Sequence, residues 1–170
     1  MQTIVEARKL NDFARSVFLQ DKAHVPMVIF FKGTTTLCLM DTRKFMQNGE
    51  SKDILTQVIA LAIKKLGASS LAFITEAWMK KIPQSNSKDA IKQISEKGVS
   101  SYSDKEEVLM LTAESDDGLA VCIMNPIHRD NANNPTLGEA EEIRDYTGRF
   151  NQFFQKAESL SRPSAGPGMN

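Results

Sequence analysis

Apolar residues recur at three- and four-residue steps over residues 3–20, at Ile4, Ala7, Leu10, Phe13, Ala14, Val17 and Phe18, which predicts an amphipathic helix. Thr3 and Glu6 stand at capping-box spacing at its start. After Asp21-Lys22-Ala23-His24 the period changes. Residues 25–31 are β-branched and aromatic, Lys32-Gly33 supplies a turn, and residues 34–40 read as the returning strand of a hairpin. Val25, Met27, Ile29 and Phe31 fall on one face of the first strand and Val28 and Phe30 on the other, the pattern of a strand covered on both sides. Asn48-Gly49 then breaks the chain. Ser51 is placed to cap a second helix running to Leu66, with Gly67 as its left-handed stop. Ile54, Leu55, Val58, Ile59, Leu61, Ala62 and Leu66 give that helix a wide apolar stripe, as a helix lying on a sheet requires.

Residues 69–81 form the stretch around which the rest is arranged. It begins as an apolar strand and then acquires Glu76 and the only tryptophan, Trp78, before ending in Lys80-Lys81. Pleating puts Ala72, Ile74, Glu76 and Trp78 on one face and Leu71, Phe73, Thr75, Ala77 and Met79 on the other. Residues 82–103 read as a polar insertion, with a short helix over residues 89–97 on Ile91 and Ile94, capped by Ser87 and stopped by Gly98. This insertion is expected to be mobile and to lie over the surface. Two strands follow, over residues 107–114 and from Leu119, joined through Ser115-Asp116-Asp117-Gly118, which is hairpin-turn chemistry. Residues 130–135 form a loop. Thr136 and Glu139 offer a capping box for a last helix on Leu137, Ala140, Ile143, Tyr146, Phe150, Phe153 and Phe154, with a strand over 146–154 as the alternative. From Ser159 a Ser/Pro/Gly tail is expected to be disordered.

The predicted order is therefore α-β-β-α-β-β-β-α. It describes an α+β fold with an antiparallel sheet of about five strands and helices packed on its faces. One domain over residues 1–158 carries the insertion at about 82–103, and residues 159–170 form the tail. With 170 residues there is no room for a second full domain.

Composition narrows the function classes. Twenty-one basic and 21 acidic residues cancel, so no global field favours a polyanion, and a nucleic-acid role is disfavoured. No apolar run approaches the roughly 20 residues that cross a bilayer, and the N-terminus lacks a basic start followed by an apolar segment. No membrane association is expected, and the chain is placed in the cytoplasm. Cys38 and Cys122 sit in separate strand-like runs without a CxxC or a neighbouring histidine, and read as two buried, reduced thiols.

Two resemblances bear on the reading. The element order is similar to that of the roadblock/profilin-like family of small interaction domains, though none of that family's sequence motifs is matched. The run Phe73-Ile74-Thr75-Glu76-Ala77-Trp78, a polar insertion, and then Asp104-Lys105-Glu106-Glu107-Val108-Leu109-Met110-Leu111 resembles a group of small bacterial and phage-borne proteins of unknown function that share a strand ending in Glu-Ala-Trp. That resemblance covers about a third of the chain and implies no activity.

Chemistry-bearing residues are few. Glu76, Glu114 and His128 are the catalytic candidates, because a carboxylate meeting an imidazole can act as a general base. Trp78, Arg129 and Asp130 are the binding candidates. Each also has a plainer reading: Glu76 paired with a cation on the next strand, Trp78 in the core, and His128-Arg129-Asp130 a solvated strand end in which Asp130 caps the loop. Two histidines rule out a His-rich metal site, HxH and HExxH are absent, and neither metal nor cofactor is expected. Trp78 beside Lys80-Lys81 is what a single-strand binder would use, yet one aromatic is thin support. Lys32-Gly33-Thr34-Thr35-Thr36 lacks the phosphate-loop pattern and joins two strands, so it is a hairpin turn. The leading expectation is a non-catalytic interaction or structural module with a protein partner or self-association, including a homodimer through the Trp78 strand taken as a sheet edge. The competing class is a small hydrolase or metal-dependent enzyme with its site near Glu76 and His128.

Overall fold

A two-residue turn at Gly33-Thr34, with Gly33 at φ +57°, closes the first hairpin, and the apolar runs on either side of it become β1 (Met27–Lys32) and β2 (Thr35–Asp41). The computed structural model describes residues 2–81, 87–144 and 150–160. The predicted tail beyond residue 160, residues 82–86 of the insertion and residues 145–149 lie outside them. The remaining elements are α1 (Gln2–Asp21), α2 (Gly49–Leu66), β3 (Ser70–Met79), α3 (Ser87–Lys97), β4 (Glu106–Ser115), β5 (Ala120–Arg129), β6 (Pro135–Leu137), β7 (Glu141–Ile143) and α4 (Phe153–Ser159). The fold is α+β, as expected, with a fully antiparallel sheet of seven strands in the order β2-β1-β3-β4-β5-β6 and β7 also on β5.

The extra strands replace the predicted last helix. Thr136 does not cap anything helical: β6 and β7 pair with the same edge of β5, β6 opposite residues 127–129 and β7 opposite residues 122–124. Three residues lie between Leu137 and Glu141 where two lie between their partners Ile127 and Met124, so one extra residue bulges between the two short strands. Gly138 donates its N–H to the Pro126 carbonyl at 2.8 Å in that gap. Because a strand residue turns N–H and C=O the same way, the N–H that Pro126 lacks would also have pointed into the break. A proline is thereby tolerated in the strand. The helix itself is shorter and later than expected, seven residues from Phe153.

Smaller departures have local causes. α1 already begins at Gln2, so Thr3 lies inside its first turn and does not cap it. Asn48 caps α2: its side chain accepts from Ser51 N–H at 2.9 Å while Ser51 Oγ accepts from Asn48 N–H, and Gly67 ends the helix at φ 62°. Ser51 is thus the third residue of the box. Cys122 is buried as expected, its thiol pushed up to about 11 by burial, whereas Cys38 on β2 is exposed. β3 is not a sheet edge. β1 pairs with its residues 70–74 and β4 with all of it, which leaves only residues 75–79 without a strand on the β1 side. Among the described residues the free edges are β2 and the β6/β7 pair.

Each sheet face has its own core. On one face Val28, Phe30, Leu71 and Phe73 pack with α2 and α4 through Leu55, Ile59, Ile63, Phe153 and Ala157. On the other, Ile29, Ala72, Ile74, Leu109, Leu111, Ala113, Val121, Ile123 and Ile127 pack with Ala7, Ala14 and Phe18 of α1. Within that second core lies a polar exception. Asn125 is fully buried, donates from Nδ2 to Asn11 Oδ1 at 2.8 Å and to the Leu109 carbonyl at 2.9 Å, and accepts from Asn11 Nδ2 at 3.3 Å and Arg15 Nη1 at 2.6 Å. Arg15 also reaches the Gly138 carbonyl at 3.0 Å, and Arg8 pairs with Glu142 at 2.8 Å. These bonds draw α1 toward β5, β6 and β7. Accordingly α1 packs chiefly against β4, with β3, β5 and β6 beside it, and meets the β1–β2 hairpin through Ile29 of β1.

Asn125→Leu strands the buried Asn11 amide and is expected to cost about 1–3 kcal/mol in urea unfolding. The double variant Asn11→Leu/Asn125→Leu should cost less than the two single losses added together, because it removes both partners at once. Strict additivity would show that the two amides are not coupled.

Candidate functional site

The connection that follows α1 meets the sheet at the last residues of β3 and β5 and the first of β4, and there the α1-side face changes from apolar to charged. Alternation carries Ile74 on to Glu76 and Trp78, Leu109 back to Glu107, and Ile127 on to Arg129. Arg129 grips Glu107 with both arms, Nε to Oε2 at 2.8 Å and Nη2 to Oε1 at 2.6 Å. This bidentate bond, with Glu76 adding its charge, raises the guanidinium's already high pKa. Glu76 accepts the His24 N–H at 2.6 Å and so ties the connection after α1 to the sheet. His24 is buried. Its Nδ1–H donates to the Val25 carbonyl at 2.8 Å, and burial lowers its pKa despite that bond and the nearby Glu76. Lys105 Nζ sits 4.7 Å from the centre of the Trp78 ring, which is 47% exposed. Trp78 is therefore not the core tryptophan of the plainer reading.

Every cation around Trp78 has an acid or a carbonyl close by. Lys80 is bound to Asp104 and lies 4.5 Å from the Tyr102 ring, Lys81 is 3.3 Å from Glu141 and 3.9 Å from Glu106, and Lys105 reaches the Ser100 carbonyl. A single-strand binder needs a positive groove beside its aromatic platform, and this rim is balanced.

The other candidates lie elsewhere. His128 is exposed on the opposite face from Glu76, since Ile127 and Arg129 on either side of it point to the α1 side. Glu114 is at the far end of β4, also on the α2 side, where one carboxylate oxygen accepts Gln152 N–H at 2.5 Å and the other Phe153 N–H at 2.8 Å. It caps α4 from the sheet. Asp130 takes the N–H groups of Ala132 at 2.9 Å and Asn134 at 2.8 Å, and holds the loop as its plainer reading foresaw. The structure thus brings Glu76, Trp78 and Arg129 to one rim and separates Glu114 and His128 from it, while Asp130, next to Arg129, is spent on its own loop. Among the described residues no three His, Cys, Asp or Glu side chains are grouped to hold a metal ion. No helix of the described residues is long and apolar enough to cross a membrane.

Glu107, Lys105, His24 and Asn125 were missed as participants. Asn125 had a signal, a lone amide within the apolar run from Val121 to Ile127. Glu107 and His24 had none, because their roles depend on strand register and on where α1 stops.

The family model described as Bacteriophage lambda protein ea47 matches residues 2–155. The chain belongs to that family. The matched span runs from the first turn of α1 into α4, so it holds the rim, both sheet edges and both cores. Kinship with small phage proteins follows from it. Comparison with curated proteins and with solved structures returns no match.

Burial outweighs the two N–H donors and nearby Lys156 and holds the Glu114 carboxyl above its usual range. The folded state then binds this proton more tightly than the unfolded chain does. The resulting stabilisation is complete below the ordinary glutamate value and is lost as pH rises through the raised one. Glu114→Ala is expected to cost about 1–3 kcal/mol by stranding the two amides. By the same linkage the deficit should narrow between about pH 5 and about pH 8. Urea titrations at both pH values check this, and a deficit that grows with pH contradicts it.

Proposed function

We propose that this Ea47-family protein works by binding another protein surface and not by catalysis, in the cytoplasm, with an uncovered apolar strip on the α1 side of the sheet as the docking face. One observation carries the reading. A helix about 10 Å across covers roughly two strands at about 4.8 Å spacing, and α1 lies chiefly over β4 and is drawn toward β5 and β6, so only its edge reaches the β1–β2 flank, beside Ile29. The flank of α1 on that side carries Leu10 and Val17, with Phe13 further round toward solvent. Phe13 is 64% exposed, and across the strip Leu39 of β2, which shares a face with buried Ile29, is 61% exposed. They are the two most exposed of the chain's exposed large apolar residues in the described part. Met27 and Phe31, half-buried, complete the floor.

Exposed single hydrophobes are ordinary on protein surfaces, but here two of them lie on the side of the sheet where Leu10, Met27 and Phe31 are only half-buried. The rim, by contrast, has its groups spent on one another: Glu76 on His24, Arg129 on Glu107. Glu76 and His128 on opposite faces give the hydrolase reading nothing to stand on. Nor does the element order that is similar to roadblock/profilin-like domains carry any of the proposal, because α3, β6 and β7 depart from it.

A photo-crosslinking residue at position 13 is expected to give a discrete adduct in cells expressing the protein, whereas one at exposed Lys64 on α2 should give none. Excess protein carrying Leu39→Lys should fail to compete the adduct away. No adduct at position 13, or equal adducts at both positions, would overturn the docking face. Phe13→Ala should alter stability by less than about 1 kcal/mol, against about 3–5 kcal/mol for Phe18→Ala in the buried core, so loss of the adduct cannot be put down to unfolding.

A further inference from the structure

We infer that the first occupant of this side of the molecule is a second copy of the chain, paired antiparallel through the β2 edge about a twofold axis at Leu39. The inference rests on the docking reading above and extends it. The Phe31 carbonyl turns to the β3 side, where it accepts Ser69 N–H at 2.8 Å, and alternation turns the main-chain groups of Ile29 the same way. Leu39, opposite Ile29, is therefore in a non-hydrogen-bonded pair, and its own N–H and C=O point outward from the sheet. What satisfies such an edge is an extended strand.

The sequence of β2 suits its own copy. Residues 33–40 contain no charge and no proline, two of the devices that blunt an edge, and the one bulge of β2, at Leu37, lies to the side of residues 38–40. With Leu39 on the axis, the two Leu39 residues exchange both main-chain bonds, their exposed side chains meet, Cys38 lies opposite Met40 of the second copy, and no like charges face each other across the centre. Asp41, the nearest charge, is already held by Arg43 and falls toward the second copy's Thr36 and Leu37. A twofold axis through such a pair stands perpendicular to the sheet, so both α1 helices lie on the same side. Their strips then join over β1, β2 and the same two strands of the second copy, forming one apolar trough roughly 15–20 Å wide by strand spacing. Each chain holds half of the docking face.

Sedimentation of the full chain tests the pairing. The wild type should be a dimer at about 100 μM. Leu39→Pro removes an N–H that β1 does not use, Leu39→Lys sets two charges on the axis, and each should give a folded monomer by circular dichroism. Exposed Cys38 supplies a second measurement that needs no destabilising change. Across the proposed axis the two Cys38 Cα atoms stand about 8 Å apart, beyond a disulfide but within a short bismaleimide's reach, while Cys122 is buried. Covalent dimer from the wild type supports the pairing even where a variant fails to fold. A wild type that stays monomeric, variants that stay dimeric, or no cross-link through Cys38 would each overturn it. A monomer that still gives the position-13 adduct with another protein would overturn self-pairing and leave the docking face standing.

Discussion

The arrangement of the molecule follows from where α1 is pinned. Asn125 lies in the middle of an apolar strand, and its amide is satisfied only if Asn11 and Arg15 are brought directly over it. A sheet-facing asparagine without those partners would be a buried polar group in an apolar layer, so the position and register of the helix are fixed by chemistry more specific than the greasy contacts of Ala7, Ala14 and Phe18. Apolar contacts tolerate sliding. A reciprocal amide pair does not. Since Arg15 continues to the Gly138 carbonyl, the same network also holds the bulge that lets β6 and β7 share one edge of β5.

Two consequences sit at opposite margins of α1. Beyond its C-terminal end the sheet face has no apolar cover, and the side chains there are charged and paired: Arg129 with Glu107, and Glu76 with the His24 amide that starts the next connection. Along its flank, where α1 covers β1 only at Ile29, the outcome is different, because Leu10, Met27 and Phe31 are half-buried and Phe13 and Leu39 exposed, all of them apolar. The first margin has been made compatible with water, and the second has not. On the reverse face α2 does most of the covering, and the short α4 is held at its start by the Glu114 carboxylate, which supplies acceptors that a seven-residue helix cannot provide for itself.

Local rules carried the fold a long way. The 3.6-residue stripe of α2, the Gly33 and Gly118 turns and the alternating strands all concern residues within a few positions of each other, and they were legible. The end of the chain was not. Thr136 and Glu139 have a helix start's spacing, yet residues 135–143 lie beside an open strand edge, and edge pairing won over capping. Trp78 was legible as a feature and illegible as a place. Its strand is internal over residues 70–74 because β1, far earlier in the chain, returns to cover it. The candidate site fared likewise: the types of Glu76, Trp78 and Arg129 could be picked out, but Glu107 and His24, which hold two of them, are joined by register alone.

What Phe13 and Leu39 are for is a question that folding energetics does not answer. An aromatic ring 64% exposed contributes little to its own chain's stability, since the free energy of burial scales with the area removed from water. The neighbouring Ala14 and Phe18 already seal the core beneath α1. With equal numbers of acidic and basic residues, the surface also has no net charge with which to attract a partner at long range, and the rim's charges neutralise one another in pairs. The docking proposed above is accordingly one of short-range contact. Phe13 and Leu39 are the most exposed large apolar side chains among the described residues, and Leu39 lies on the free edge of β2.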